Sequence, residues 1–141
     1  MFTGVQQKER KLAGISVLVV EDDPDAQELI ACLLEQNDAT VTCFGTVPDA
    51  LSALKNLSPD VLVVDIGLPG YNGFTFIGRV RALADPCKRN LPAIALTAYS
   101  TTTDRDTVLM SGFQTFMTKP FDCDVLIQTI ASAASSNRNT A

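Results

Sequence analysis

This 141-residue chain contains no histidine and no tryptophan. Without an imidazole, Ser-His and Cys-His nucleophilic catalysis are excluded, and no His is available to complete a zinc site. The four cysteines, Cys32, Cys43, Cys87 and Cys123, form no C-x-x-C pair. They read as reduced cytosolic thiols, mostly packed as small apolar residues. Positive charge is scarce: 11 Lys and Arg stand against 16 Asp and Glu, for a net charge of −5. A nucleic-acid surface needs clustered cations, so nucleic acid is excluded as a partner. No apolar run approaches the ~18 residues of a membrane span. The charged start, MFTGVQQKERKLAG, lacks the apolar stretch of a secretion signal. A cytoplasmic protein without a membrane partner is expected, with chemistry that rests on carboxylates, hydroxyls, lysine and a metal.

What is present is a chain 46% hydrophobic, long enough to bury about 70% of its unfolded surface in one domain. Residues 1–14 read as a leader or linker, or as a short helical extension. Ile15–Val20 reads as a buried strand, followed at once by Glu21, Asp22 and Asp23. Pro24 suits the first position of a helix, which makes Asp23 the expected N-cap and Asp25 a favourable first-turn charge. Ala26, Leu29, Ile30, Leu33 and Leu34 recur at helical spacing as one apolar face. Thr40–Phe44 is a second strand. Thr46 and Pro48 open a helix with Leu51, Leu54 and Leu57 as its buried stripe, ended by Ser58-Pro59.

Val61–Val64 is apolar and β-branched, too short for a helix, and flanked by turn formers. It reads as a strand buried on both faces. It delivers Asp65, then Leu-Pro-Gly and Asn-Gly, both strong turn signals. Taken alone, Asp65 reads equally well as a turn-stabilising acid or as a site residue. Phe76, Ile77, Val80 and Leu83 mark the next helix, and 85–91 a polar connection. Pro92–Thr97 is a strand ending on a hydroxyl. A weakly apolar helix near 103–111 is closed by Gly112, and Thr115–Thr118 delivers Lys119-Pro120. Asp122 or a neighbour caps a last helix with Val125, Leu126, Ile130 and Ala133 inward. Residues 135–141 read as a disordered tail.

Strand and helix alternate five times, which implies a parallel sheet with helices on both faces and right-handed crossovers. All strand tips then share one edge, the edge at which such sheets bind ligands. That edge collects Glu21, Asp22, Asp65, Thr97 and Lys119. Clustered acids with one hydroxyl and one ammonium are what a Mg2+-assisted phosphoryl site requires, because Mg2+ takes hard oxygen ligands.

With those residues in place, 15–134 resembles a response-regulator receiver domain of two-component signalling. The signals are LVVEDD (18–23), DIGLPGYNG (65–73), LTAY (96–99) and TKPF (118–121), in that order. The resemblance implies a doubly wound, flavodoxin-like (βα)5 three-layer fold, with a five-stranded parallel sheet of order 2-1-3-4-5. It implies Asp65 as phosphoacceptor, Asp22 as direct Mg2+ ligand, Glu21 as the acid holding a metal-bound water, and the Gly67 carbonyl as third protein ligand. It implies Thr97 and Lys119 as phosphoryl contacts, Phe116 at the aromatic switch position, and a cis Lys119–Pro120 bond. The implied donor is a sensor histidine kinase or a histidine phosphotransfer protein. A downstream protein partner would meet the 102–134 face. Such a domain is not an enzyme beyond its own phosphorylation and dephosphorylation. It acts as a stand-alone receiver or as the receiver of a hybrid kinase.

Departures from the family pattern are Asn72 in place of the usual Asp, Phe116 without a hydroxyl, Gly67 two residues past the acceptor, and Tyr99 near the site mouth. Two other classes also fit an Asp at a strand tip. A phosphatase of the haloacid dehalogenase type needs an acid two residues after the nucleophile, where this chain has Gly67. A flavodoxin-like nucleotide binder needs a phosphate loop after the first strand, where three acids would repel a phosphate. A receiver used only for docking would usually have lost the acceptor or the acids.

Overall fold

The computed structural model describes residues 11–66, 73–97 and 102–139. Five strands, β1 (Ser16–Val20), β2 (Thr40–Phe44), β3 (Val61–Asp65), β4 (Ala93–Thr97) and β5 (Thr115–Thr118), form one sheet in the order β2-β1-β3-β4-β5. Every pairing is parallel. The helices are α1 (Pro24–Gln36), α2 (Val47–Ala53), α3 (Gly73–Arg81), α4 (Pro86–Arg89), α5 (Thr102–Met110) and α6 (Cys123–Asn139). The expected doubly wound (βα)5 fold and strand order are observed.

Strand alternation explains the three layers. Leu18, Val20, Leu62, Val64, Ala93 and Ala95 face one side and pack with Val47, Ala50, Phe76, Ile77 and Val80 of α2 and α3. Val17, Val19, Val61, Val63, Ile94 and Leu96 face the other, against Ile30 and Leu34 of α1 and Leu126 and Ile130 of α6. A central strand buried on both faces has no polar alternation to show, and β3 and β4 are buried at every residue.

Local chemistry sets the helix starts. The Asp23 carboxylate accepts from the Asp25 N–H at 3.1 Å, with Pro24 opening α1. Thr46 caps α2 through the Asp49 N–H at 3.2 Å, and Asp122 caps α6 through the N–H groups of Asp124 and Val125. Gly112, at φ +123°, ends the turn after α5 in a conformation that side chains resist.

Several expectations are corrected. The 85–91 connection contains α4, because Asp85 caps it through the Cys87 N–H at 2.9 Å and Pro86 fits its first turn. Leu29 is 58% exposed and Val125 46%, so α1 buries Ile30 and Leu34 while α6 buries Leu126, Ile127, Ile130 and Ala134. A helix lying on a flat sheet buries a narrower stripe than apolar spacing alone suggests. Cys32, Cys87 and Cys123 are exposed and only Cys43 is partly buried, all four as free thiols. Cys32 sits on the outer side of α1, and Cys87 and Cys123 in the first turns of α4 and α6. The segment expected as a tail is helical to Asn139, since Ala131, Ala133 and Ala134 favour helix and Ala134 continues the buried stripe. Within the segment expected as a leader, Leu12 is fully buried in the α1–α6 core, and its N–H bonds the Asn37 carbonyl at 3.0 Å.

Gly73 fixes how closely α3 approaches the strand that carries Asp65. A Cβ there would stand 2.7 Å from Ile66 Cγ2, 2.9 Å from Ile66 Cα and 2.9 Å from Val64 Cγ1. One of those atoms is backbone and cannot rotate away. Gly73→Ala is expected to destabilise the fold by about 1–3 kcal/mol, as overpacked cores do. A urea-midpoint shift with unchanged slope checks this; equal or greater stability would mean that α3 yields.

Candidate functional site

Five of the expected site residues stand at the C-terminal edge of the sheet. Register places three of them on one face. Glu21 follows β1 in phase with Val17 and Val19, Asp65 ends β3 in phase with Val61 and Val63, and Lys119 follows β5 in phase with Met117. The Lys119 ammonium donates to Asp65 Oδ2 and to Glu21 Oε1, each at 3.0 Å. Lys119 is held there by its own backbone, whose N–H donates to the Thr97 carbonyl at 2.7 Å; its bond to Pro120 is cis, as expected.

Asp22 is exposed, whereas Glu21 is 1% and Asp65 8% exposed. One carboxylate oxygen from each of the three lies within 4.8 Å of the others. The acidic turn is pinned from several sides. The Glu21 N–H donates to the Phe44 carbonyl at 3.0 Å, Glu21 Oε2 accepts from the Asp23 N–H at 3.2 Å, and the Gln27 side-chain amide donates to the Glu21 carbonyl. Sequence reasoning missed Gln27 as a positioning residue. Its signal was an amide one turn into α1, in a position that alternation leaves half-buried.

Burial is the main reason the Glu21 carboxyl is pushed up to about 7, with the neighbouring Asp65 carboxyl adding to it; Lys119 and the Asp23 N–H pull it partly back. For Lys119, burial favours the neutral amine, but hydrogen bonds and attraction from Asp65 and Glu21 outweigh it and raise its pKa. One ammonium between two buried carboxylates leaves an excess of negative charge. A hard cation bound by oxygen ligands fits this donor set.

Thr97 is 1% exposed at the tip of β4. It is in phase with Ala93 and Ala95, on the opposite side of the sheet from Asp65 and Glu21. Phe116 pairs with Ala95, and Thr118 with Thr97, so Phe116 lies on the same face as Thr97, one strand over. It is half-buried against the α2–α3 core. Gly67, Asn72 and Tyr99 lie outside the described residues, and with them the expected third Mg2+ ligand and the aromatic expected near the site mouth.

The fold agrees with comparisons to known proteins. A family model described as the response regulator receiver domain matches residues 17–131. An uncharacterised 14.6 kDa protein of Leptolyngbya boryana is 45% identical over 84% of this chain and 89% of its own length. The transcriptional regulatory protein TcrA of Mycobacterium tuberculosis is 34% identical over 82% of this chain, which spans only 44% of TcrA. Among solved structures, the receiver domain of the sensor histidine kinase PA1611 from Pseudomonas aeruginosa superposes with a TM-score of 0.78 at 28% identity. That match covers 87% of this chain and 99% of that one, and the PA1611 domain has magnesium coordinated in its active-site cleft.

Proposed function

The chain belongs to the response regulator receiver family, and from that premise we propose that it is a phosphorylation switch whose Asp65 accepts a phosphoryl group from a sensor histidine kinase or histidine phosphotransfer protein. One observation carries the reading: Asp65 stands 3.0 Å from the Lys119 ammonium inside a cluster of three carboxylates. A structural cap has no use for either neighbour. In the transfer, an Asp65 oxygen forms the new P–O bond as the P–N bond to the donor imidazole breaks. Asp22, Asp65 and Glu21 are the residues of this chain that would hold Mg2+, joined by the Gly67 carbonyl. When bound, Mg2+ neutralises charge on the acceptor and the incoming group. Lys119 holds the acceptor oxygen in place and then faces the transferred oxygens.

The product carries roughly −1.5 to −2 charge units at this edge. Thr97 is the nearby hydroxyl that would turn toward the new oxygens, and Phe116, on the same face, would follow into the space it leaves. The switch is a shift between two packings. Its readout face runs over α5, β5 and α6, where a downstream protein binds; Met110 is 88% and Leu109 40% exposed there.

Wild type incubated with Mg2+ and a small acyl-phosphate donor is expected to gain one phosphoryl mass by intact-mass spectrometry, and Asp65→Asn none. Labelling that survives Asp65→Asn would overturn the assignment.

A further inference from the structure

Behind the sheet, at the edge opposite the acidic site, the C-terminal ends of α2 and α3 and the short α4 enclose a groove of about 640 Å3. Its floor is apolar, built from Leu51, Leu54 and Leu83, and its rim is cationic, with Lys55, Arg79 and Lys88. Lys88 Nζ donates to the Leu54 carbonyl and, at 3.3 Å, to the Lys55 carbonyl, which fixes its charge at the groove wall. Among the described residues no carboxylate pairs with any of these three cations. Asp85 lies in the lining, but its side chain caps α4 through the Cys87 N–H. In a chain of net charge −5, this is a concentration of positive charge with no carboxylate partner around a leucine floor, where Leu51 and Leu83 are half-buried and Leu54 is buried beneath them.

The outer face of α1 carries the complementary pattern. Leu29, 58% exposed, stands among the exposed Asp25, Glu28 and Glu35, and no Lys or Arg occurs anywhere in the helix. Asp25, Glu28, Leu29 and Cys32 share one stripe at helical spacing. α1 packs on one side of the sheet, and α2 and α3 on the other. The two complementary surfaces of one molecule therefore point away from each other, and both are open at once.

We propose that the α2–α3 groove receives the outer face of α1 from a second copy of this chain, with Leu29 on the leucine floor and its flanking acids facing Lys55, Arg79 and Lys88. The mode is an amphipathic helix laid in a groove. The two surfaces differ, so the contact is heterologous and each added copy leaves one of each surface open. Association continues past the dimer unless a ring closes. A contact of this size, guided by exposed charges, is weak and salt-dependent. It stands independently of the reading of Asp65, which lies at the other edge of the sheet.

Sedimentation velocity on the full chain tests it. At about 0.01 M salt the mean sedimentation coefficient is expected to rise with protein concentration. At about 0.5 M, where the Debye length is only a few ångströms, the monomer value is expected throughout. Arg79→Glu puts an acid on the groove rim, and Leu29→Ser removes the apolar anchor. Both positions are exposed, so circular dichroism should be unchanged, and each variant alone should associate at least ~10-fold more weakly than wild type. An equimolar mixture of the two should form a 1:1 complex and stop there. The Arg79→Glu copy still offers an intact α1, and the Leu29→Ser copy an intact groove. A chain that stays monomeric at low salt overturns the proposal, as does association that neither substitution weakens. So does a groove that binds a synthetic peptide of residues 22–37 while the chain itself remains monomeric, since its occupant would then be a different protein.

Discussion

Asp22→Asn is expected to melt higher than wild type in chelator and to gain almost nothing from added Mg2+. Asp22 is the exposed member of a three-carboxylate cluster whose oxygens lie within 4.8 Å of one another. Two like charges about 4 Å apart repel by roughly 4 kcal/mol at an effective dielectric of 20, and the exposure of Asp22 reduces that severalfold. Lys119 bonds Asp65 and Glu21 but not Asp22. The repulsion on Asp22 is therefore the least compensated of the three. Removing its charge relieves the metal-free fold and also removes the carboxylate best placed to bind a cation from solvent. Wild type, by contrast, should be stabilised by mass action, about 2.7 kcal/mol at a hundredfold excess of Mg2+ over its dissociation constant. For a domain of this size that is a rise of roughly 8 °C in Tm. Two melting curves per protein decide the matter. A variant that melts lower in chelator, or that still responds fully to Mg2+, would make Asp22 a structural residue.

The second large effect lies in the pH dependence of the metal-free protein. Glu21 has an ordinary carboxyl pKa when unfolded and one near 7 when folded. A raised folded pKa means that the native state keeps a proton which the unfolded state releases. No penalty exists below about pH 4.5, where both states are protonated. It grows as pH rises through the window and is complete above about 7. The shift corresponds to about 3 kcal/mol of stability lost on going from acid to neutral pH. Glu21→Gln has no proton to lose. Its stability relative to wild type, measured by urea unfolding in chelator, is therefore expected to improve by about 3 kcal/mol between pH 4.5 and 8. Lys119 does not blur the comparison, because its raised pKa acts only at alkaline pH. A difference that stays flat across the window would mean that Glu21 is ionised throughout and fully compensated by Lys119.

Both effects come from spatial placement that composition cannot report. In the sequence, Glu21 and Asp22 are adjacent acids of equal standing. In the fold they diverge: Glu21 continues the inward phase of β1 and is sealed beneath Lys119, while Asp22 faces solvent. The exposed cysteines and the outward Leu29 are failures of the same kind. Spacing along a helix identifies a face, but the neighbouring elements decide how wide a stripe they cover. The capping Asp85, which turns part of the 85–91 connection into α4, shows in the sequence only as Asp-Pro, because four residues carry no periodicity.

The sequence by itself determined the alternation of strands and helices, the parallel sheet, the caps at Asp23 and Thr46, and the gathering of Glu21, Asp22, Asp65, Thr97 and Lys119 at one edge. These follow from local rules: period-two apolar runs, turn formers and the geometry of parallel crossovers, each read within a few residues. Only the tertiary structure decided that Lys119, 54 residues beyond Asp65 and 98 beyond Glu21, bridges both carboxylates. Only it showed that Thr97 and Phe116 share the opposite face, and that cations gather around an apolar groove on the far side from the acidic α1. Charge and desolvation act through space, and their magnitude depends on distances that chain order does not contain.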